Sequence, residues 1–368
     1  MSVRATAQAG ILMIAAMMLV VWPAAAPAQQ PPATPHAPFT IANHSVAPGQ
    51  RLDVDLHVAA GPSDPATRVL VTVFHGVRPG PVLGLTAGVH GYEFAPILAA
   101  QRLLDVIDSM QLTGTVLLVR LANVAAFEER VPYVNPHDRK NLNRAFPGRA
   151  DGTQTERIAW ALTTEVVRRS DVLVELHSGD GAEWLEEFVG IYGGPLAARY
   201  DTARAVGLAF GLRNVIRYSM DTRQQIDSGR SVNRQAVADG KPTVLVEIGE
   251  NGRRDTAFVE PIVNGVMNAL RVLAMVDGAA QPARPDTRWF DSTASVSATA
   301  TGIFTPAAAR GYEVQKGGRV GTVRDYSGRV VEELVSPVNG YAIYGLAGPP
   351  VKAGESVVTI AVPAKEPF

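Results

Sequence analysis

Between Ile41 and Asp286, short apolar runs alternate with longer amphipathic stretches. That is the pattern of an α/β domain, in which buried strands are separated by helices packed on a sheet. Val69–Phe74, Val82–Ala87, Thr115–Arg120, Val172–Leu176 and Thr243–Ile248 read as buried strands because they are short, apolar and rich in β-branched residues. Glu93–Gln111, Thr153–Arg169, Ala197–Phe210 and Val259–Val276 are the helix candidates between them. After Asp286 the helical period disappears, and glycines from Gly302 to Gly354 punctuate short strand-like runs. This predicts a domain over 41–286 followed by a small all-β unit over 287–368.

The chain opens on a different texture. Arg4 precedes an apolar run from Gly10 to Trp22, and Ala26-Pro-Ala28 has the small residues of a cleavage site. The run falls short of the roughly 20 apolar residues of a spanning helix. Residues 1–28 are therefore expected to be a cleaved export signal and 29–40 a flexible leader, giving a periplasmic or secreted protein with no stable membrane anchor.

Composition narrows the chemistry. With 46% hydrophobic and 19% charged residues, the 368-residue chain can bury a large core. Its 34 basic and 35 acidic residues leave a net charge of -1, so nothing global draws it to nucleic acid. Cysteine is absent, which excludes disulfides, thiolate ligands and thiol nucleophiles. A Gly-x-Ser-x-Gly elbow and a phosphate-cradling Gly-x-x-x-x-Gly-Lys are also missing.

What remains points to a metal. His90 and Glu93 stand in Gly88-Val-His-Gly-Tyr-Glu93, at the end of one predicted strand, and His177 ends another. Two imidazoles and a carboxylate are a catalytic zinc set, with one position left for water. Glu175 alternates onto the same strand face as His177, where a carboxylate can orient a ligand imidazole. Glu247 lies in the apolar strand Val244-Leu-Val-Glu-Ile, where an unpaired carboxylate is costly unless it has work to do. It is the candidate general base, with Glu250 its rival. The polar block from Asn135 to Gly148 reads either as a carboxylate clamp built on arginine or as a solvated loop, and His137 is the one further histidine placed to approach a substrate.

Gly88-Val-His90-Gly-Tyr-Glu93, the Asn-Leu-Asn143-Arg144-x-Phe-Pro-Gly block, Leu176-His177-Ser and Val246-Glu247-Ile-Gly249 together resemble the succinylglutamate desuccinylase/aspartoacylase family, relatives of the zinc carboxypeptidases. The resemblance spans most of 41–286. It implies a carboxypeptidase-like three-layer α/β domain with a central mixed sheet, one zinc per chain on His90, Glu93 and His177, and a general base at Glu247. It also implies substrate-carboxylate contacts from Asn143 and Arg144, with Arg130 or Arg139 as a further contact. The family often has Asp where this chain has Glu175, one methylene longer. The C-terminal unit is similar to the small barrel-like β domain of this family and to lipoyl carrier barrels, but Val338-Asn339 stands where a carrier lysine would be. A lid or substrate-narrowing role is expected instead.

The leading expectation is an exported zinc hydrolase that cleaves the amide of an N-acyl amino acid or a similar small carboxylate. A metallocarboxypeptidase acting on short or cell-wall peptides would use the same residues, and a non-catalytic exported ligand-binding protein would keep the fold without turnover.

Overall fold

The five runs marked as strands become five consecutive neighbours in one sheet. In spatial order they are Thr243–Glu247, Val172–His177, Arg78–Thr86, Thr113–Leu121 and Thr67–His75. The first four pair in parallel, and Thr67–His75 joins antiparallel. Arg51–Val58 then closes that edge antiparallel. The computed structural model describes residues 1–2, 36–365 and 367–368. The predicted export signal beyond its first two residues, its cleavage site and leader residues 29–35 lie outside the described residues.

Beyond Thr243–Glu247 the sheet continues through strands the pattern did not mark. Phe188–Gly193 pairs antiparallel with it, and Asn214–Ser219 runs parallel to Phe188–Gly193. Both are weak strands on sequence alone. The first carries two glycines, and the second ends in Arg-Tyr-Ser. The mixed pairing follows from the topology: parallel neighbours need crossover helices, and the antiparallel ones do not.

Helices cover both faces. Ala99 and Leu103 of Phe94–Val106, Val206 of Tyr200–Leu208, and Ile262, Val266 and Leu270 of Thr256–Val272 pack against Leu85, Val174 and Val246 on one side. On the other, Ile158 and Leu162 of Gln154–Leu162 and Val232 and Ala236 of Val232–Ala238 pack against Val71, Leu117 and Leu173. Each helix thus buries one apolar stripe against the sheet, which is what a three-layer α/β arrangement requires. The Gln154 helix starts on a capping box between Thr153 and Glu156. It ends in a π turn over Thr163–Val167 rather than running straight to Arg169.

The C-terminal region is all β. Arg288–Ser297 runs parallel to Asn214–Ser219, and Ser356–Pro363 and Gly340–Leu346 follow it antiparallel, so the main sheet continues into this region. A second, four-stranded sheet of Gly302–Pro306, Arg319–Arg324, Val330–Val335 and Pro350–Val351 packs over it. Phe304, Val323, Leu334, Val358 and Ile360 form the core between the two sheets. Glu183–Leu185, just past His177, pairs with Gly340–Leu346 and ties the C-terminal strands to the loops around the predicted ligands. Residues 36–368 form one compact unit.

Candidate metal centre and active site

His90 sits on a turn that only glycines allow. Gly88 has φ +68°, a conformation costly for a residue with a Cβ. A Cβ on Gly91 would stand 2.2 Å from the backbone nitrogen of Phe127, so the loop can pass the next helix only without a side chain there. Glu93 is the N-cap residue of helix Phe94–Val106, but its carboxylate does not cap the helix. It turns instead to the two imidazoles. Its Oε1 lies 2.6 Å from His90 Nδ1 and its Oε2 lies 2.7 Å from His177 Nδ1. His177 comes from the end of Val172–His177, a strand buried throughout. The three ligand atoms lie within 4.8 Å of one another, and all three residues are buried.

The far side of each ring is also held. His90 Nε2 lies 3.1 Å from Asn141 Oδ1. His177 Nε2 lies 2.7 Å from Glu175 Oε1, close enough for strong attraction but off the line of a well-formed hydrogen bond. Asn143 Nδ2 approaches the same nitrogen at 3.3 Å, with Asn143 Oδ1 taken up by the backbone of Val232. Glu175 is steadied in turn by Asn233, which accepts a hydrogen bond from Thr243. Asn141 Oδ1 and Glu175 Oε1 favour protons on the two Nε2 atoms, which makes Asn143 Nδ2 a neighbour of His177 and not its hydrogen-bond donor; that tautomer would turn both Nδ1 lone pairs to the centre, as a metal needs.

Electrostatics follow from this packing. Burial alone would raise the Glu93 carboxyl, but His177 and His90 hold it down at about 2. Burial opposes charge on His90 and His177, yet Glu93 outweighs it and raises both, with Glu175 adding to the effect on His177. A metal would have to displace the protons this pairing favours, since an imidazole ligates in its neutral form.

A cavity of about 390 Å³ opens over these residues. Glu247 lines it from Thr243–Glu247, where it is directly opposite His177 in the parallel pairing. No hydrogen bond engages its carboxylate among the described residues, and burial pushes it well above the usual carboxylate range, opposed by His177. Asn143 and Arg144 line the cavity as well, from the short 3₁₀ turn Leu142–Arg144. Arg144 Nη1 donates to the Asn143 carbonyl at 2.7 Å, which anchors the guanidinium. Glu175 reaches the cavity beside His177.

Other sequence candidates fall elsewhere. Arg130 caps helix Val124–Glu129 with φ 54°, and Arg139 occupies a turn with φ 58°. Both are exposed and neither lines the cavity. Neither, therefore, is among the residues gathered at the centre. His137 is exposed outside the cavity too. Glu250 is tied to the Leu185 amide and to Arg310, which leaves Glu247 as the one of the two carboxylates that lines the cavity. Sequence reasoning missed Asn141, whose place two residues before Asn143 was the available signal, and Asn233, which carried none. It also missed Tyr133, whose backbone is held by Asp180 and whose hydroxyl bonds to Glu183 at the cavity edge. Burial, with Glu183 second, raises that hydroxyl.

Comparison with known proteins fits this geometry. The succinylglutamate desuccinylase/aspartoacylase catalytic domain matches residues 79–273. The chain belongs to that family. N-alpha-acetyl-L-2,4-diaminobutyric acid deacetylase from Halomonas elongata is 31% identical over 250 residues, covering 67% of this chain and 71% of the relative. The product-bound ectoine utilization protein EutE (DoeB) from Ruegeria pomeroyi superposes with TM-score 0.75 at 24% identity, over 85% of this chain and 95% of that one. An aspartoacylase family protein from Mesorhizobium loti gives TM-score 0.70 at 25% identity, over 90% and 100%. The family is one of deacylases acting on N-acyl amino acids, and the fold, with its large mixed sheet and added C-terminal β sheets, is theirs.

Proposed function

We propose that this chain is an exported zinc-dependent deacylase that hydrolyses the amide of an N-acyl amino acid. The observation that carries the reading is the gathering of His90, Glu93 and His177 in one cavity with the unpartnered carboxylate of Glu247. The donor set fits zinc: two imidazole Nδ1 atoms and a carboxylate converge, and each ring is oriented through its other nitrogen. Zinc held there would supply Lewis acidity toward an acyl oxygen and a water of lowered pKa.

The remaining steps belong to the chain's own side chains. Glu247 accepts the proton of the attacking water and delivers it to the departing amine nitrogen, as general base and then general acid. Its place opposite His177 puts it beside the ligands without making it one. Arg144, braced on the Asn143 carbonyl, presents its open N–H groups to the substrate carboxylate, and the Asn143 amide lies at the same edge. That grip holds the scissile amide in register with Glu247. The deacetylase activity of the Halomonas elongata relative supports amide hydrolysis on a small acylated amino acid. Export rests on the apolar N-terminal run and its small-residue cleavage site.

The test is direct. Purified mature protein should hold about one zinc per chain and release free amine from N-acetyl amino acids. Glu247→Gln should keep zinc and fold but lose turnover by orders of magnitude, since the amide cannot accept a proton. A zinc-loaded protein that turns over neither N-acyl amino acids nor short peptides would reduce the chain to a binding protein.

A further inference from the structure

The sheet face that carries the candidate site does not end at Glu247. Alternate residues of neighbouring strands point the same way, and the registers show which ones share this face. Glu175 and His177 pair with Leu245 and Glu247. Leu245 and Glu247 pair with Gly190 and Phe188. Gly190 and Tyr192 then pair with Ile216 and Tyr218. Crossing the sheet from His177, the face turns from charged to apolar within two strands.

Gly190 decides the shape of that apolar stretch. A Cβ there would stand 2.4 Å from Tyr218 Cε2 and 3.2 Å from Leu245 Cβ, so only a bare strand lets the Tyr218 ring lie across it. Tyr218 stacks on Tyr192 with ring centroids 5.1 Å apart and planes 30° apart, which fixes the ring's tilt. On the same face Phe188 and Ile216 are fully buried with Phe290 of the C-terminal strands, and Phe188 also lines the cavity. Tyr218, Leu245 and Tyr344 stay half-buried and line the same cavity as Glu247. Tyr344 comes from Gly340–Leu346, so the C-terminal β region supplies one wall.

An acetyl group and a carboxylate clamp need none of this surface. We infer that Tyr218, Leu245 and Tyr344 form a platform beside Glu247 that selects substrates bearing a flat apolar group, an aromatic ring above all. This deepens the deacylase reading and rests on it. The ring can belong to the amino-acid side chain or to the acyl group, since both would present the same face to the platform. Offset stacking and exclusion of water from the tyrosine faces supply the selectivity.

Three substrates separate the possibilities: N-acetylglycine, N-acetyl-L-phenylalanine and N-benzoylglycine. At least one aromatic substrate should exceed N-acetylglycine in kcat/KM by about tenfold or more, and the one that does shows on which side of the amide the platform acts. Tyr218→Ala should bring that ratio down toward one, and Tyr218→Phe should keep it. Gly190→Val should lower it as Tyr218→Ala does, by displacing the ring, with circular dichroism to confirm the fold. Equilibrium binding of benzoate and of phenylalanine, which have no amide to cleave, read by calorimetry on the same variants, tests the platform apart from turnover. If no amide is cleaved but Tyr218→Ala weakens aromatic binding, the deacylase reading fails and the platform stands. Aromatic substrates no better than N-acetylglycine, or a ratio and affinity indifferent to Tyr218→Ala, would overturn the platform.

Discussion

His177 Nε2 stands 2.7 Å from Oε1 of Glu175, two residues earlier on the same buried strand. Strand alternation alone puts the two on one face; burial makes the contact consequential, because neither group has water to turn to. Glu175 itself is fixed through Asn233 and Thr243. A short chain of polar groups therefore runs from the neighbouring helix and strand to the His177 imidazole.

That chain predicts graded effects on metal affinity. Glu175→Gln removes the charge that favours a proton on Nε2, and zinc affinity should fall roughly 10- to 100-fold while one site per chain is retained. Asn233→Ala should weaken zinc binding in the same direction by freeing Glu175. Competition titration against a chelator of known affinity reads both. Unchanged affinity in both variants would make Glu175 a buried partner of no consequence to the centre.

The ligands themselves should behave differently. His90→Ala, Glu93→Ala and His177→Ala each remove one of three donors, so stoichiometric zinc should be lost rather than weakened. In the native protein, chelation should abolish hydrolysis and added zinc should restore it. Full zinc content in the His177→Ala protein would take that residue out of the set.

Arg144 is anchored to its neighbour's carbonyl, which leaves its remaining N–H groups to work as a fork. Arg144→Lys keeps the charge but not the fork, and kcat/KM should fall about tenfold to a hundredfold with zinc still bound. Masking the substrate carboxylate as an amide should cost the native enzyme a similar factor and the variant little more. Fully additive losses would mean that Arg144 does not meet that carboxylate.

Away from the site, Asp64 and Arg157 form a buried ion pair, reinforced by the Gln154 amide on Asp64 and by the Gly152 and Ala59 carbonyls on Arg157. Arg157 holds the Asp64 carboxyl below its ordinary value despite burial. A depressed carboxyl contributes stability above its unfolded pKa near ~3.9, and this is lost as pH falls through the folded value. Asp64→Asn leaves Arg157 unpaired and should destabilise the protein by about 3 kcal/mol at neutral pH. Urea unfolding at pH 7 and near pH 3 should show the gap between native and variant narrowing in acid. A constant gap would mean that the carboxylate charge is not what stabilises the pair.

Much of this was readable in one dimension. Val69–Phe74, Val82–Ala87, Thr115–Arg120, Val172–Leu176 and Thr243–Ile248 announce themselves because they are buried on both faces and have no reason to carry polar residues. For the same reason Glu175, His177 and Glu247 stand out, being polar side chains in strands that should be apolar. Phe188–Gly193 and Asn214–Ser219 stayed hidden because each has one face on the core and one on a cavity, so their pattern is diluted by glycine, tyrosine and arginine. Arg130 and Arg139 could not be told apart in the sequence, and in the fold both lie exposed on left-handed turns outside the cavity.

The sequence by itself determined five central strands of the main sheet, four of the helices packed on it, the four residues gathered at the candidate site, and the family. Those are local properties, carried by residue type against apolar background. Tertiary structure alone decided that Glu93 spans both imidazoles, that Asn141 and Asn233 support the centre from other elements, and that Tyr218 and Tyr344 share a cavity with Glu247. Each of those depends on which strand lies beside which and in what register. Register is set by long-range pairing that no local window contains.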